Sequence, residues 1–178
     1  KHVNESNFKG NEVRKLISAE MVSSALRVQT VSNSEMQEAV RKWSDLYRNS
    51  ASWNSGRVIS LCLASAISRE FSRLVLAETE ISAVGDIYIS EQFEKLRPKL
   101  PVMVEQACAM GGIILKPYLS NGQIYVDTVL PESFFAVDFS EDTVTSAVFP
   151  EQLVIGKHCY TRLEFHQFDP KKRICIVR

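Results

Sequence analysis

Between Met110 and Ile113 the spacing of apolar residues changes from about 3.6 to about 2. Before that point the chain repeats its apolar residues as helices do. After it, apolar and polar residues alternate as in half-buried strands. A chain that switches period once places helices first and a sheet second, which predicts the α+β class. Residues 1–111 are expected to form a helical region and residues 112–178 an antiparallel β region, together one partial domain of a longer chain. Gly111 and Gly112 at the switch suit a helix C-cap with left-handed backbone, from which the chain reverses into the sheet.

In the first half, KGNEVRKLISAEMVSSAL places Val13, Leu16, Ile17, Met21 and Ala25 near helical spacing. In SEMQEAVRKWSDLYRNS, Ser34 and Gln37 have the spacing of a capping box, and Met36, Val40, Trp43 and Tyr47 share a face. The longest helix is predicted from Arg57 to about Glu78. Its start (Val58, Ile59, Leu61, Cys62, Leu63) is apolar all round, as in a helix end sunk in a core or a subunit contact. Its second half narrows to Ile67, Phe71, Leu74 and Val75. A further helix from about Ser90 to Leu96 is interrupted near Pro98 and Pro101 and resumes as VMVEQACAM.

Strands are predicted over Ile113–Leu119 and Ile124–Leu130, joined by Asn121-Gly122, the strongest short hairpin signal. FFAVDF, VTSAVF and QLVI follow, separated by Ser140-Glu141-Asp142 and by Pro150. In HCYTRLEFHQF, Cys159, Thr161, Leu163 and Phe165 face one way and His158, Tyr160, Arg162, Glu164 and His166 the other. DPKK then turns the chain into RICIVR. The sequence opens at Lys1 and closes inside that strand, and is read as part of a longer product.

Lys plus Arg and Asp plus Glu both number 21, so the net charge is zero. A dedicated binder of nucleic acid or anionic membrane shows a basic excess, and that class is disfavoured. No apolar run reaches the length of a membrane span. Cys62, Cys108, Cys159 and Cys175 are scattered through apolar segments without CxxC spacing. They are expected to be reduced, buried thiols of an intracellular protein.

Little in the sequence carries chemistry. IGKH at Ile155–His158 fails as a phosphate loop, since Glu151 stands where a glycine is needed and His158 where Ser or Thr should follow the lysine. His158 and His166, eight residues apart on one strand, lie about 26 Å from each other, and Cys159 faces away from both. No metal site is expected, and both histidines are read as exposed. Cys62 and Cys108, among Leu, Ala and Met, are read as core residues rather than nucleophiles. Asp127, Glu132, Asp138, Glu141 and Asp142 are assigned turn-forming or solvated roles. Trp43 is assigned to the core. Trp53, in a polar loop, is left between local packing and a binding contact. No catalytic, cofactor or metal residue is singled out, and the residues alone give a soluble α+β assembly or binding module.

The order and wording of several segments go further. WSDLYRNSASW, LASAISREFSRLVLAE, VEQACAMGGIILKPYLSNGQIYVDTVLPESFFAVDF, SAVFPEQ and YTRLEFHQF together resemble the portal proteins of tailed bacteriophages. They are most similar to the minor-capsid or portal group of phages and prophages of Gram-positive bacteria. The resemblance spans about Glu35 to Phe168. The chain departs from the family pattern at Pro98 and Pro101, and it ends before the stem, clip and crown.

The resemblance implies the wing-like part of a structural subunit that closes into a dodecameric ring at a capsid vertex. Its implied partners are other copies of itself, the terminase, scaffold or major capsid protein, head–tail connector proteins and the double-stranded DNA that passes through the channel. It implies no enzyme activity, no cofactor and no membrane. The implied location is the virion, with assembly in the host cytoplasm. Trp53, Leu61 and Leu63 are the residues expected at a subunit interface. Competing readings are another capsid or tail component, a ring adaptor, or a mobile-element hydrolase or nuclease in which Asp127 or His166 would matter.

Overall fold

The computed structural model describes residues 17–54, 60–156 and 158–178, and every structural statement below concerns these. Five helices precede six strands, so the α+β class holds. α1 (Ala19–Leu26) is capped by Ser18, whose hydroxyl accepts from the Met21 amide, and it ends at Arg27 in left-handed backbone. Val13 and Leu16 lie outside the described residues. α2 (Ser34–Tyr47) is capped by Asn33, not Ser34: the Asn33 carboxamide oxygen accepts from the Met36 amide at 2.8 Å. Asn and Ser are equally good caps. Gln37 sits beside α1 and accepts instead from the Ala19 amide at 3.4 Å, so the capping box does not form.

α3 (Leu63–Ala77) starts later than the apolar run suggested. Cys62 is its N-cap, in left-handed backbone with φ 52°. Val58 and Ile59 lie outside the described residues. α4 (Ile87–Leu96) begins three residues before Ser90 because Asp86 accepts from the Ile89 amide at 3.0 Å. The interruption expected at the prolines is a single 3-10 turn, Arg97–Lys99, after which α5 runs Leu100–Met110. Pro98 and Pro101 occupy first-turn positions, where the missing N–H costs nothing.

Gly111 caps α5 with φ +78°, as its place in the sequence indicated. A side chain there would also stand 3.4 Å from the Trp43 ring. Gly111→Ala is therefore expected to lower stability by about 1–2 kcal/mol, the penalty for a Cβ in left-handed backbone. An unchanged denaturation midpoint would show that the cap tolerates the methyl group.

β1 (Ile114–Ser120) and β2 (Gln123–Val129) form a two-stranded hairpin through Asn121 and Gly122, both at positive φ. After the Pro131–Ser133 turn, β3 (Phe135–Ser140), β4 (Thr143–Ile155), β5 (His158–Asp169) and β6 (Ile174–Val177) make a separate antiparallel sheet in sequence order. Pro150 does not divide VTSAVF from QLVI; β4 runs through it. Phe165 exchanges both backbone hydrogen bonds with Arg178, so Leu163 also faces β6 in the alternating ladder. Pro150, opposite Leu163, then faces the β3 side. β3 begins only at Phe135, opposite Val148, so the missing N–H deprives no neighbour.

The helical and β halves share one core. Ala19 and Val22 of α1 pack on Phe135 and Val148, with Leu26, Val137, Leu163 and Phe165 around them. This side of β5 is the Leu163/Phe165 face predicted from its alternation. A second contact joins α3 to α5. There the buried side of α3 presents small residues, Ser68 and Ser72, and the Ser72 hydroxyl donates to the Pro101 carbonyl at 2.7 Å.

Several burial expectations are overturned. All four cysteines are exposed, including Cys62 and Cys108. Trp43 is 43% exposed, because it lies against the Gly111 turn at the edge of the helical layer. Met36 is exposed on the same helix, and Val40 and Ser44 are the buried positions of α2.

Candidate subunit-contact surface

Packing α3 through its serines turns its larger apolar side chains outward. Leu63, Ile67, Phe71 and Leu74 recur at helical spacing along one stripe, all exposed, with Ile67 at 64%. Of the expected stripe, Ile67, Phe71 and Leu74 therefore share one face, which is turned away from α5, while Val75 is half-buried beside it. Glu70 and Arg73 form an exposed ion pair beside it. Arg69 reaches Glu105 at 3.6 Å, and Glu105 accepts from the Tyr47 hydroxyl at 2.9 Å. Burial and that carboxylate raise the Tyr47 pKa and keep the phenol a neutral donor.

At its amino-terminal end the stripe runs into a hollow of about 290 Å³ lined by Leu46, Ala51, Trp53, Leu61 and Leu63, among others. The three residues expected at a subunit interface thus share one feature of the surface. Trp53 is 55% and Leu61 76% exposed, so the segment leading into the helix is not sunk in the core of the described residues. Together the stripe and the hollow make one contiguous exposed apolar surface.

A second projecting surface was not legible as such. β3 ends its pairing at Val148 and β6 at His166, but β4 and β5 continue together to Ile155 and His158. One face of this two-stranded overhang carries the cross-strand pairs Glu151–Arg162, Leu153–Tyr160 and Ile155–His158. Leu153, Ile155 and Tyr160 are exposed on it, and Glu151 and Arg162 form an ion pair at its base.

The β1–β2 hairpin is tied to the four-stranded sheet by charge. Lys116 Nζ lies 2.6 Å from Glu164 Oε2, both side chains being 22% exposed, and 5.4 Å from the Phe149 ring centre. Glu164 also meets Arg162 at 3.0 Å and His166 at 3.4 Å. The hydrogen bond from Lys116 is the main reason the Glu164 carboxyl sits below its ordinary value of 4.5, against an opposing effect of burial. A depressed carboxylate pKa stabilises the fold above the unfolded value and loses that contribution as pH falls through the folded value. Wild type is thus expected to lose stability below about pH 4.5 more steeply than Glu164→Gln. Parallel acid curves for the two proteins would show that the pair contributes nothing.

His166 is partly buried rather than exposed. Its ring packs edge-on against Phe149 at 4.8 Å, with Cys175 Sγ 3.8 Å from Nδ1. Thiol, imidazole and carboxylate in line are the parts of a cysteine nucleophile. Glu164, however, is held at 2.6 Å by Lys116 and only at 3.4 Å by His166, so the carboxylate serves the hairpin clamp. Asp127 stands across the hairpin from Lys116. Glu132 sits in the Pro131–Ser133 turn, as expected, but it is not simply solvated: it accepts from the buried Ser44 hydroxyl at 2.8 Å and pairs with Arg48 at 2.5 Å. Among the described residues no group of three or more His, Cys, Asp or Glu is placed to hold a metal ion, and no helix is long and apolar enough to cross a membrane. Comparison with protein-family models, with curated proteins and with solved structures found no match to this chain.

Proposed function

We propose that this chain is the wing-like part of a phage portal subunit, a structural protein that closes into a ring around packaged and ejected double-stranded DNA. The observation that carries the assembly part of this reading is the exposed apolar stripe of α3, Leu63, Ile67, Phe71 and Leu74, which runs into the hollow beside Trp53 and Leu61. Contiguous exposed apolar surface is the mark of a contact surface. A head-to-tail ring needs two different patches on every subunit.

The α3 stripe with its hollow supplies one such patch. A net charge of zero suits an outer body better than a surface that grips the DNA backbone. The portal identity itself rests on the sequence resemblance from Glu35 to Phe168.

Electron microscopy and light-scattering mass of the full-length gene product test this reading. Rings with a central hole wide enough for duplex DNA are expected; a monomer at all concentrations would refute it. Leu61→Asp with Leu63→Asp is expected to prevent assembly while leaving circular dichroism and melting temperature unchanged, since both side chains already face solvent. Rings formed by that variant would remove the hollow from the contact.

A further inference from the structure

We infer that the α3 stripe of one copy receives the projecting β4–β5 overhang of the next copy, a heterologous contact that deepens the ring-subunit reading and rests on it. The two surfaces lie on different elements, so one copy can offer its overhang to a neighbour while its own stripe receives another. That is the geometry of a head-to-tail ring rather than a two-fold dimer.

The dimensions agree. From Leu63 to Leu74 the stripe is about 17 Å long at the helical rise. From Glu151 to Ile155 the overhang extends about 13 Å at the strand rise. The apolar faces also correspond: Leu153, Ile155 and Tyr160 on the overhang against Leu63, Ile67, Phe71 and Leu74 on the helix.

Charge fixes the direction. If Ile155, 65% exposed at the tip, enters the hollow beside Trp53, Leu61 and Leu63, then Glu151 and Arg162 at the base fall about 13 Å along the helix from Leu63. Glu70 and Arg73 stand about 10 and 15 Å along it at the helical rise. Two exposed ion pairs, Glu70–Arg73 and Glu151–Arg162, thereby meet and can exchange partners across the contact. The reverse direction would set the apolar tip against Glu70 and Arg73 and leave the hollow facing charge.

The test uses two full-length variants, Ile67→Glu and Ile155→Glu, studied separately and mixed. Both positions are exposed, so each variant is expected to keep the wild-type circular dichroism and melting temperature. Ile67→Glu spoils the stripe and keeps the overhang; Ile155→Glu does the reverse. By light scattering and sedimentation, wild type is expected to form large closed assemblies and each variant alone to remain monomeric. An equimolar mixture is expected to give a species of twice the monomer mass and no larger, because one intact stripe meets one intact overhang. Rings from Ile155→Glu alone would overturn the overhang as occupant while leaving the ring reading in place. Only monomers in the mixture, beside a wild type that assembles, would overturn the pairing of these two surfaces. A wild type that stays monomeric would instead sink the ring reading itself.

Discussion

Val148→Asp is expected to abolish folding. Val148 is fully buried between Phe135 on β3 and Phe165 on β5, with Ala19 and Val22 of α1 above it. None of these side chains offers a hydrogen bond to a carboxylate. Burying an unpaired charge, or forcing its neutralisation, places the substitution in the class that costs more than about 4–5 kcal/mol. A domain holding only about 5–15 kcal/mol in total loses most or all of its stability. Val148→Ala is the graded control, at about 2–3 kcal/mol for the methyl groups removed and the cavity left. Soluble expression and circular dichroism read the result. A folded Val148→Asp protein would mean that α1 does not close this core.

Glu132→Ala is expected to cost about 2–3 kcal/mol. Most of that comes from the charged hydrogen bond to Ser44, whose hydroxyl is almost completely buried and is left without this acceptor. The bond to Arg48 adds less, because that guanidinium is well exposed and its pairing is screened. At this chain length the loss corresponds to a fall in melting temperature of about 4–12 °C. Glu132→Gln, which can still accept from Ser44, is expected to fall by less than half as much. Equal losses in the two variants would place the effect in the Arg48 pair, and no loss in either would show α2 to be held without this contact.

The sequence alone determined the features set by backbone chemistry and local period. The switch after Met110, the Gly111 cap, the Asn121-Gly122 turn and the alternation of β5 follow from positive φ and from which neighbouring positions share a face. Those forces act within a few residues, so a linear reading captures them.

What only the tertiary structure decided was which partner each face meets. Asn33 and Ser34 are equivalent caps until α1 claims Gln37. Pro150 reads as a strand break until β3 is seen to begin opposite Val148, beyond the missing N–H. The Ile67–Phe71–Leu74 stripe has the pattern of a core-facing surface, yet α5 packs on Ser68 and Ser72 and leaves the stripe outside. Apolar periodicity records that a face is to be buried. It does not record whether the burying surface belongs to the same chain, and here the described chain leaves that face open.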